Sequence, residues 1–571
     1  MSTEPIYEVR KIKNLKDMLY SSVDIFGDNT AFMVKDIPGG DYRSISYQQF
    51  RRDVDALGTA LLDMGLENPK IAVIGENRYE WAVTYMAIVN GVGTIVPFDK
   101  ELPEEEIKYL IKASGISCMV YSGKFGNFLE NLDIQDSNLS HFINMDADSD
   151  KGRHLSFGKM LKRGQERLER GERAYVDAEI DENEMKILLY TSGTTGMAKG
   201  VMLSHKNIIS NLMSMCTMVN IKPDDIFFSV LPLHHTYECT CGFLTPIYRG
   251  SAIAYCEGLK YILKNMEEVK PTLFLGVPLI FEGIYKKLWR QAKKSGLDRK
   301  LAKAIKINGY SKKLGIDLSR TLFKTVHNKF GGRIRMFISG GAGIDPEVAK
   351  GFRDLGIFTL QGYGLTEMSP IVALNPDIKP KNAAAGVPLP GVDVKIQNPG
   401  EDGIGEVITK GDSLMLGYYN NQEATDEVII NNWFYTGDLG YLDQENYVYI
   451  TGRKKNVIVT KNGKNIFPEE LEFYLNRSEY IEESIIYGKE DINSGETYVY
   501  AQIRPNDEAI DEALNAQYTD EQVHEFIQQE VDKINKDLPF YKKIRKISIR
   551  KDEFAKTTSK KIKRHLELPE A

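Results

Sequence analysis

As far as Ile180 the chain alternates two hydrophobic periods. Apolar residues at helical spacing over 47–64 predict an amphipathic helix, and the apolar run at 70–74 has the length of a strand. Helical spacing over 79–90 and a run at 94–97 repeat the pair, which argues for stacked parallel α/β layers. The pattern recurs at 187–190, 226–231, 272–275 and 334–338, apolar strands that end at Gly, Pro or Ser. In α/β proteins ligands bind at such strand ends.

Beyond Val387 the texture changes to short strands with frequent turns, at 392–396, 405–410 and 447–451. After Lys461 the chain returns to mixed helix and strand, with helices over 468–475 and 520–537. The expected fold class is α/β. A large N-terminal domain of stacked α/β layers spans 1–452 and includes a small β-rich subdomain over 387–452. A small α+β C-terminal domain spans 453–571, with the boundary near Arg453 to Lys455.

Composition narrows the class. The 571 residues are 42% hydrophobic and 27% charged with a net charge of −7, the profile of a folded chain that does not bind nucleic acid through bulk positive charge. Two stretches oppose that average: residues 286–324 carry thirteen Lys or Arg against Asp298 and Asp317, and residues 536–565 carry twelve against three acids. Such runs are either solvated helix faces or sites for anionic lipid or polyphosphate. The five cysteines are scattered, which suits a reducing cytoplasm without disulfides. The first residues lack the apolar core of a signal peptide. Residues 81–98 are the best membrane-span candidate, but Asn90, Gly91, Gly93 and Pro97 interrupt them, and they read as a buried helix running into a strand.

The strongest chemical signal is the run from Tyr190 through Thr191, Ser192, Gly193, Thr194, Thr195, Gly196, Met197, Ala198 and Lys199 to Gly200, placed between the strand at 187–190 and a helix starting near Ser204. Its glycines let backbone N–H groups approach an anion, and its hydroxyls and lysine add donors, which suits a polyphosphate. Gly200 follows Lys199, so this is not a Walker A loop. A second signal joins Gly340 and Gly341, after a strand, to the run from Gln361 through Gly362, Tyr363, Gly364, Leu365 and Thr366 to Glu367. Small residues admit a flat ligand, Tyr363 offers an aromatic face, and Glu367 offers a hard oxygen for Mg²⁺. A third is Asp438 after Tyr435, Thr436 and Gly437, where a carboxylate can accept from sugar hydroxyls or simply sit in a turn. Arg453 and a lysine-rich terminal run from Lys556 to Arg564 follow.

Together and in this order these segments, over roughly residues 30 to 566, resemble the acyl-adenylate-forming superfamily, and within it long-chain fatty acyl-CoA synthetases. The resemblance implies a two-step ligase that uses ATP, Mg²⁺ and CoA to turn a medium- or long-chain fatty acid into acyl-AMP and then acyl-CoA. It assigns Thr191, Ser192, Gly193, Thr194, Thr195, Gly196 and Lys199 to the phosphates, and Thr191 and Glu367 to Mg²⁺. Gly340, Gly341, Tyr363, Gly364 and Thr366 frame the nucleotide, Asp438 and Arg453 hold the ribose, and Gly463 joins the same binding set. Lys561 bridges the carboxylate and the α-phosphate, where a compact cation offsets the repulsion of two anions. Where the pattern has Gly before that lysine this chain has Lys560, which leaves Lys560 and Lys561 as the two candidates, and the spacing to Ile562 and Arg564 favours Lys561. The resemblance also implies a mobile C-terminal domain hinged near Lys455.

His235, within the segment from Val230 to Glu238, matches the position that gates the acyl pocket. Two His and two Cys between His234 and Cys241 raise a zinc reading, but Cys239 and Cys241 are spaced C-x-C and read better as buried apolar packing. Gly364 stands where short-chain members of the superfamily have Trp, which predicts an open pocket floor. A carrier protein in place of CoA, or a noncatalytic nucleotide sensor, are the alternative functions; contact with an anionic membrane at 286–324 is a further expectation.

Overall fold

Runs of β-branched and aromatic residues form the strands, and every strand of the expected α/β alternation is found within a few residues of its predicted place. The computed structural model describes all residues except 1–2, 133–136, 192–197, 462–463, 491–495, 558–560 and 569–571. The described chain falls into two compact units: Met1–Asp393 with Lys410–Phe434, and Val394–Thr409 with Tyr435–Ala571.

The first unit holds two large sheets. One has nine strands, in the spatial order 387–388, 371–374, 358–364, 336–339, 273–276, 226–229, 252–255, 30–34 and 43–46; the other has eight, in the order 417–418, 199–204, 185–191, 94–97, 70–74, 118–121, 141–144 and 154–156. Antiparallel pairing is confined to both ends of the nine-stranded sheet and to the end of the eight-stranded sheet that holds 199–204 and 417–418; the other pairs, including those out to 154–156, are parallel. Phe228, Phe274, Phe281, Phe337 and Phe352 form a buried aromatic core against the nine-stranded sheet, Phe281 and Phe337 stacking at 4.9 Å. Helix Tyr47–Leu62 starts where the Ser46 side chain accepts from the Gln49 N–H, and it packs on helix Phe157–Glu169. That approach is close enough that a Cβ on Gly164 would lie 1.7 Å from the Ala56 carbonyl oxygen, so only glycine fits.

Residues 81–98 are buried as expected. The helix Tyr79–Ala87 continues into a π-helical turn, Ile88–Val92, where Gly91 has φ +152°, and then into strand Thr94–Pro97. Among the described residues no helix is long and apolar enough to cross a membrane. The five cysteines are free thiols, four of them buried.

In the second unit, strand Ile481–Glu490 pairs antiparallel with Thr497–Pro505, which pairs in parallel with Ile544–Ile549. Helices Pro468–Asn476 and Asp520–Asp537 bury Leu471, Leu475, Ile527 and Val531 in a core with Ile486, Val499 and Ile503. A second sheet has strands Val392–Gln397, Gly405–Gly411, Trp433–Leu442 and Val448–Arg453, and most of it belongs to this unit. Strands stand at the places expected beyond Val387, although Trp433–Leu442 runs to ten residues and is not short.

Candidate active site

Of the residues expected to meet phosphate and metal, the described ones, Thr191, Lys199 and Glu367, lie near one edge of the eight-stranded sheet. Strand Met185–Thr191 is followed not directly by a helix but by an antiparallel strand, Lys199–Ser204, whose first residue pairs with Thr191. The expected helix then starts at His205 under a capping box formed by Ser204 and Asn207. Ser192, Gly193, Thr194, Thr195 and Gly196 lie outside the described residues, between these two paired positions. The Lys199 ammonium sits 4.9 Å from the centre of the Tyr418 ring, and the Tyr418 hydroxyl donates to Glu367 at 2.9 Å. Lys199, Tyr418 and Glu367 thus form one contact chain, held partly by the Met415 N–H donating to the Glu367 carbonyl at 2.8 Å.

Glu367 follows Thr366 in a short 3₁₀ turn after strand Phe358–Gly364. That strand lies parallel to Met336–Ser339, with Gln361 opposite Ser339, so Gly340, Gly341 and Tyr363 emerge at the carboxyl ends of neighbouring strands. Gln361 fixes the arrangement: it accepts from the Ile344 N–H and donates to the carbonyls of Asn382 and Ala384. Gly341 has φ +84°, a conformation that favours glycine. A Cβ on Gly340 would stand 2.7 Å from the Tyr237 ring, which is held by its hydroxyl donating to the Ile338 carbonyl at 3.0 Å.

The Gly364 expectation needs correction. Its Cα faces backbone rather than a pocket: a Cβ there would fall 2.2 Å from the Pro370 carbonyl oxygen. The strand pairing with Ile371–Leu374, and not an open floor, explains the absence of a side chain.

The loop carrying His235 lies against the same turn, since the Thr236 and Thr366 hydroxyls are 3.3 Å apart. His235 Nδ1 accepts from the Tyr237 N–H, and His234 Nε2 is 3.6 Å from Asp99, with burial pushing His234 below the usual imidazole range. Beneath the loop runs a relay that the sequence did not reveal. Asn77 donates to Ser229 Oγ at 3.1 Å and to the Leu231 carbonyl at 2.6 Å, and Ser229 donates to Glu238 at 2.5 Å. Glu238 is fully buried in the π-helix Tyr237–Leu244, and burial pushes its carboxyl up to about 8. Cys239 and Cys241 are buried in the same helix, and loss of hydration raises both thiols, which matches apolar packing.

In the second unit Asp438 and Arg453 are register partners on adjacent strands, and their side chains pair at 2.7 Å. Gly437, with φ +70°, turns the chain immediately before Asp438. Lys561 is exposed as a residue, yet lost hydration is the largest influence on its ammonium and lowers it below the usual lysine range; nearby Arg453 adds to the lowering and Asp438 opposes it. Asp438 and Arg453 are therefore in contact, and the charges of both reach the Lys561 ammonium. Gly463 and Lys560 lie outside the described residues.

The family model for AMP-binding enzymes matches residues 20–419, and that for the AMP-binding enzyme C-terminal domain matches residues 455–568. The chain belongs to the AMP-binding enzyme family. It is similar to Fatty acyl-CoA synthetase B of Dictyostelium discoideum, 28% identical over 90% of this chain and 80% of that one. It is also similar to an Arabidopsis thaliana chloroplastic long-chain-fatty-acid–[acyl-carrier-protein] ligase, 24% identical over 84% of this chain and 75% of the relative. Among solved structures, an anthranilate CoA ligase in complex with anthranoyl-AMP superposes with a TM-score of 0.76 at 20% identity, covering 99% of this chain and 97% of that one, and so shares the fold.

Among the described residues no three His, Cys, Asp or Glu side chains gather into a cage. A Mg²⁺ held mainly by phosphate oxygens and water needs only one or two protein oxygens, and the Glu367 carboxylate with the Thr191 hydroxyl is a set of that kind. Tyr418, Asn77, Ser229 and Glu238 are the candidate site residues that sequence reasoning missed. Tyr418 lies on a two-residue strand and Asn77 in a loop, where no periodicity marks them.

Proposed function

We propose that this AMP-binding enzyme is an ATP-dependent acyl-CoA ligase acting on medium- or long-chain fatty acids. The observation that carries the proposal is the contact chain Lys199–Tyr418–Glu367 beside Thr191, a cation and a carboxylate at the rim of a sheet. Lys199 binds the β- and γ-phosphates; Glu367 and Thr191 orient Mg²⁺, which when bound supplies charge neutralisation to the phosphates. Gly340, Gly341 and Tyr363 frame adenine, and Asp438 and Arg453 hold the ribose hydroxyls. Lys561 offsets the repulsion as a carboxylate oxygen attacks the α-phosphorus, forming the acyl–phosphate bond while the bond to pyrophosphate breaks. A CoA thiolate then attacks the acyl carbon and AMP leaves. His235 gates the acyl group, and Lys455 is the hinge of the cycle.

Acid-dependent ATP–pyrophosphate exchange across acetate, octanoate and palmitate, with and without CoA, tests the reading. Exchange with the longer acids, with CoA needed only for AMP release, is expected; preference for acetate overturns the chain-length assignment. The resemblance to a carrier-protein ligase favours a second acceptor, and product formation from carrier protein but not CoA would select it. The basic helices over 286–324 then lie against an anionic lipid surface.

A further inference from the structure

We propose that Glu472 is a positioning residue for Lys561 and acts through Arg564. This rests on the assignment of Lys561 above. After strand Ile544–Ile549 the chain doubles back, and Lys556 bridges Ile562 in antiparallel fashion. The Thr557 N–H donates to the Lys561 carbonyl at 2.8 Å, the Lys561 N–H donates to Thr557 Oγ1 at 3.1 Å, and the Lys563 N–H donates to the Ala555 carbonyl at 2.8 Å. So short a pairing is marginal alone and holds its place only through external anchors. Arg564, just past Lys561 in the chain, donates to the Ile486 carbonyl at 2.9 Å and to the Glu472 carboxylate. Glu472 in turn accepts from the Ile486 N–H at 2.6 Å.

One guanidinium, one carboxylate and the backbone N–H and carbonyl of a single residue, Ile486, therefore close a ring. It joins helix Pro468–Asn476, the edge strand Ile481–Glu490 of the three-stranded sheet and the segment bearing Lys561. Ile486 is fully buried, so the ring is fastened to the core of the unit. Stability alone is a poor reason for the pair. Glu472 stands between Leu471 and Leu475 on a helix that packs apolar residues inward, and well-packed hydrophobic residues often match or exceed a buried ion pair. Burial pushes the Glu472 carboxyl up to about 7 against the pull of Arg564, a cost that an apolar residue would avoid. What the pair adds is direction: a planar guanidinium bonded on two sides fixes where the preceding residues lie.

The test uses the full-length protein and its Glu472→Gln, Arg564→Met, Arg564→Lys and Lys561→Ala variants. Acid-dependent ATP–pyrophosphate exchange is measured beside thioester formation from supplied acyl-adenylate, with melting temperatures for each variant. Glu472→Gln and Arg564→Met should lower kcat for exchange about tenfold or more with little change in the KM for ATP and in thioester formation, and Arg564→Lys should recover part of the loss. Equal loss of both half-reactions would show a merely structural role and overturn the inference. So would unchanged exchange in Glu472→Gln while Lys561→Ala abolishes it, which spares the assignment of Lys561. Unchanged exchange in Lys561→Ala would overturn both. Should Glu472→Gln fold poorly, the pair Arg564→Met and Arg564→Lys carries the same decision.

Discussion

Glu238 is bonded through one oxygen, at Ser229, and its other oxygen is buried without a partner among the described residues. Burial raises its carboxyl from the ordinary 4.5 to about 8, so between those values the unfolded chain ionises this group while the folded one keeps its proton. The folded state then binds more protons, and its stability falls as pH rises through that window. Glu238→Gln removes the proton linkage. The melting temperature of the wild type relative to the variant should therefore decline from about pH 5 to about pH 8, by the equivalent of about 4 kcal/mol at most. A flat difference would show that Glu238 is ionised in the folded protein. Gly364 gives a second residue-scale expectation. Because a Cβ would strike the Pro370 carbonyl, Gly364→Ala and Gly364→Trp should lower the melting temperature and depress kcat/KM for acetate, octanoate and palmitate alike. A selective gain for acetate in Gly364→Trp would restore the pocket-floor reading. At this scale the sequence marked residues by chemical type and could not mark their surroundings. Glu367 and Asp438 stand out as carboxylates in Gly- and Thr-rich runs, whereas Glu238 looks like any acid until the fold buries it.

Among the elements, the parallel strands were legible because burial on both faces makes them continuous apolar runs, as at Lys70–Ile74 and Thr94–Pro97. Strand Lys199–Ser204 was not, since its burial alternates less cleanly and its polar ends resemble a loop running into a helix. Its antiparallel pairing is nonetheless what brings Lys199 opposite Thr191, and the two-residue strand Gly417–Tyr418, paired with Val201 and Met202, adds the tyrosine between Lys199 and Glu367. No local pattern announces a contact between positions so distant along the chain. The short 3₁₀ turn Lys454–Asn456 after strand Val448–Arg453 is the element proposed to flex. Proline fixes φ at about −65° and removes an N–H. Lys455→Pro should therefore keep pyrophosphate exchange and lose thioester formation if the adenylating conformation is the one locked. Equal loss of both activities would speak for misfolding and against a hinge.

For the molecule as a whole, charge is distributed unevenly. The chain carries a net −7, yet residues 286–324 concentrate thirteen basic residues against two acids. The structure places most of them on helices Pro278–Lys294 and Asp298–Lys313, whose packing is secured from inside by buried Asn308 bonding to Ser319 and Asp354. Ile307, Tyr310 and Leu314, at helical spacing, line one exposed side of the second helix region, with Tyr310 70% and Leu314 80% accessible. Large apolar residues flanked by lysines are the composition of a helix that lies in a lipid interface, where each basic residue near an anionic surface adds about 1 kcal/mol and the apolar residues add burial. The two contributions are separable, because salt screens the first over about 8 Å at physiological ionic strength and leaves the second in place. Co-sedimentation with vesicles of anionic lipid should therefore be strong at low salt and fall steeply at high salt, and vesicles of neutral lipid should bind weakly throughout. Tyr310→Ser with Leu314→Ser should reduce binding at both salt concentrations, while leaving pyrophosphate exchange in solution unchanged, since neither side chain belongs to the nucleotide site. Absence of binding to anionic vesicles at low salt would leave the basic helices as a solvated face and remove the membrane from the proposed function.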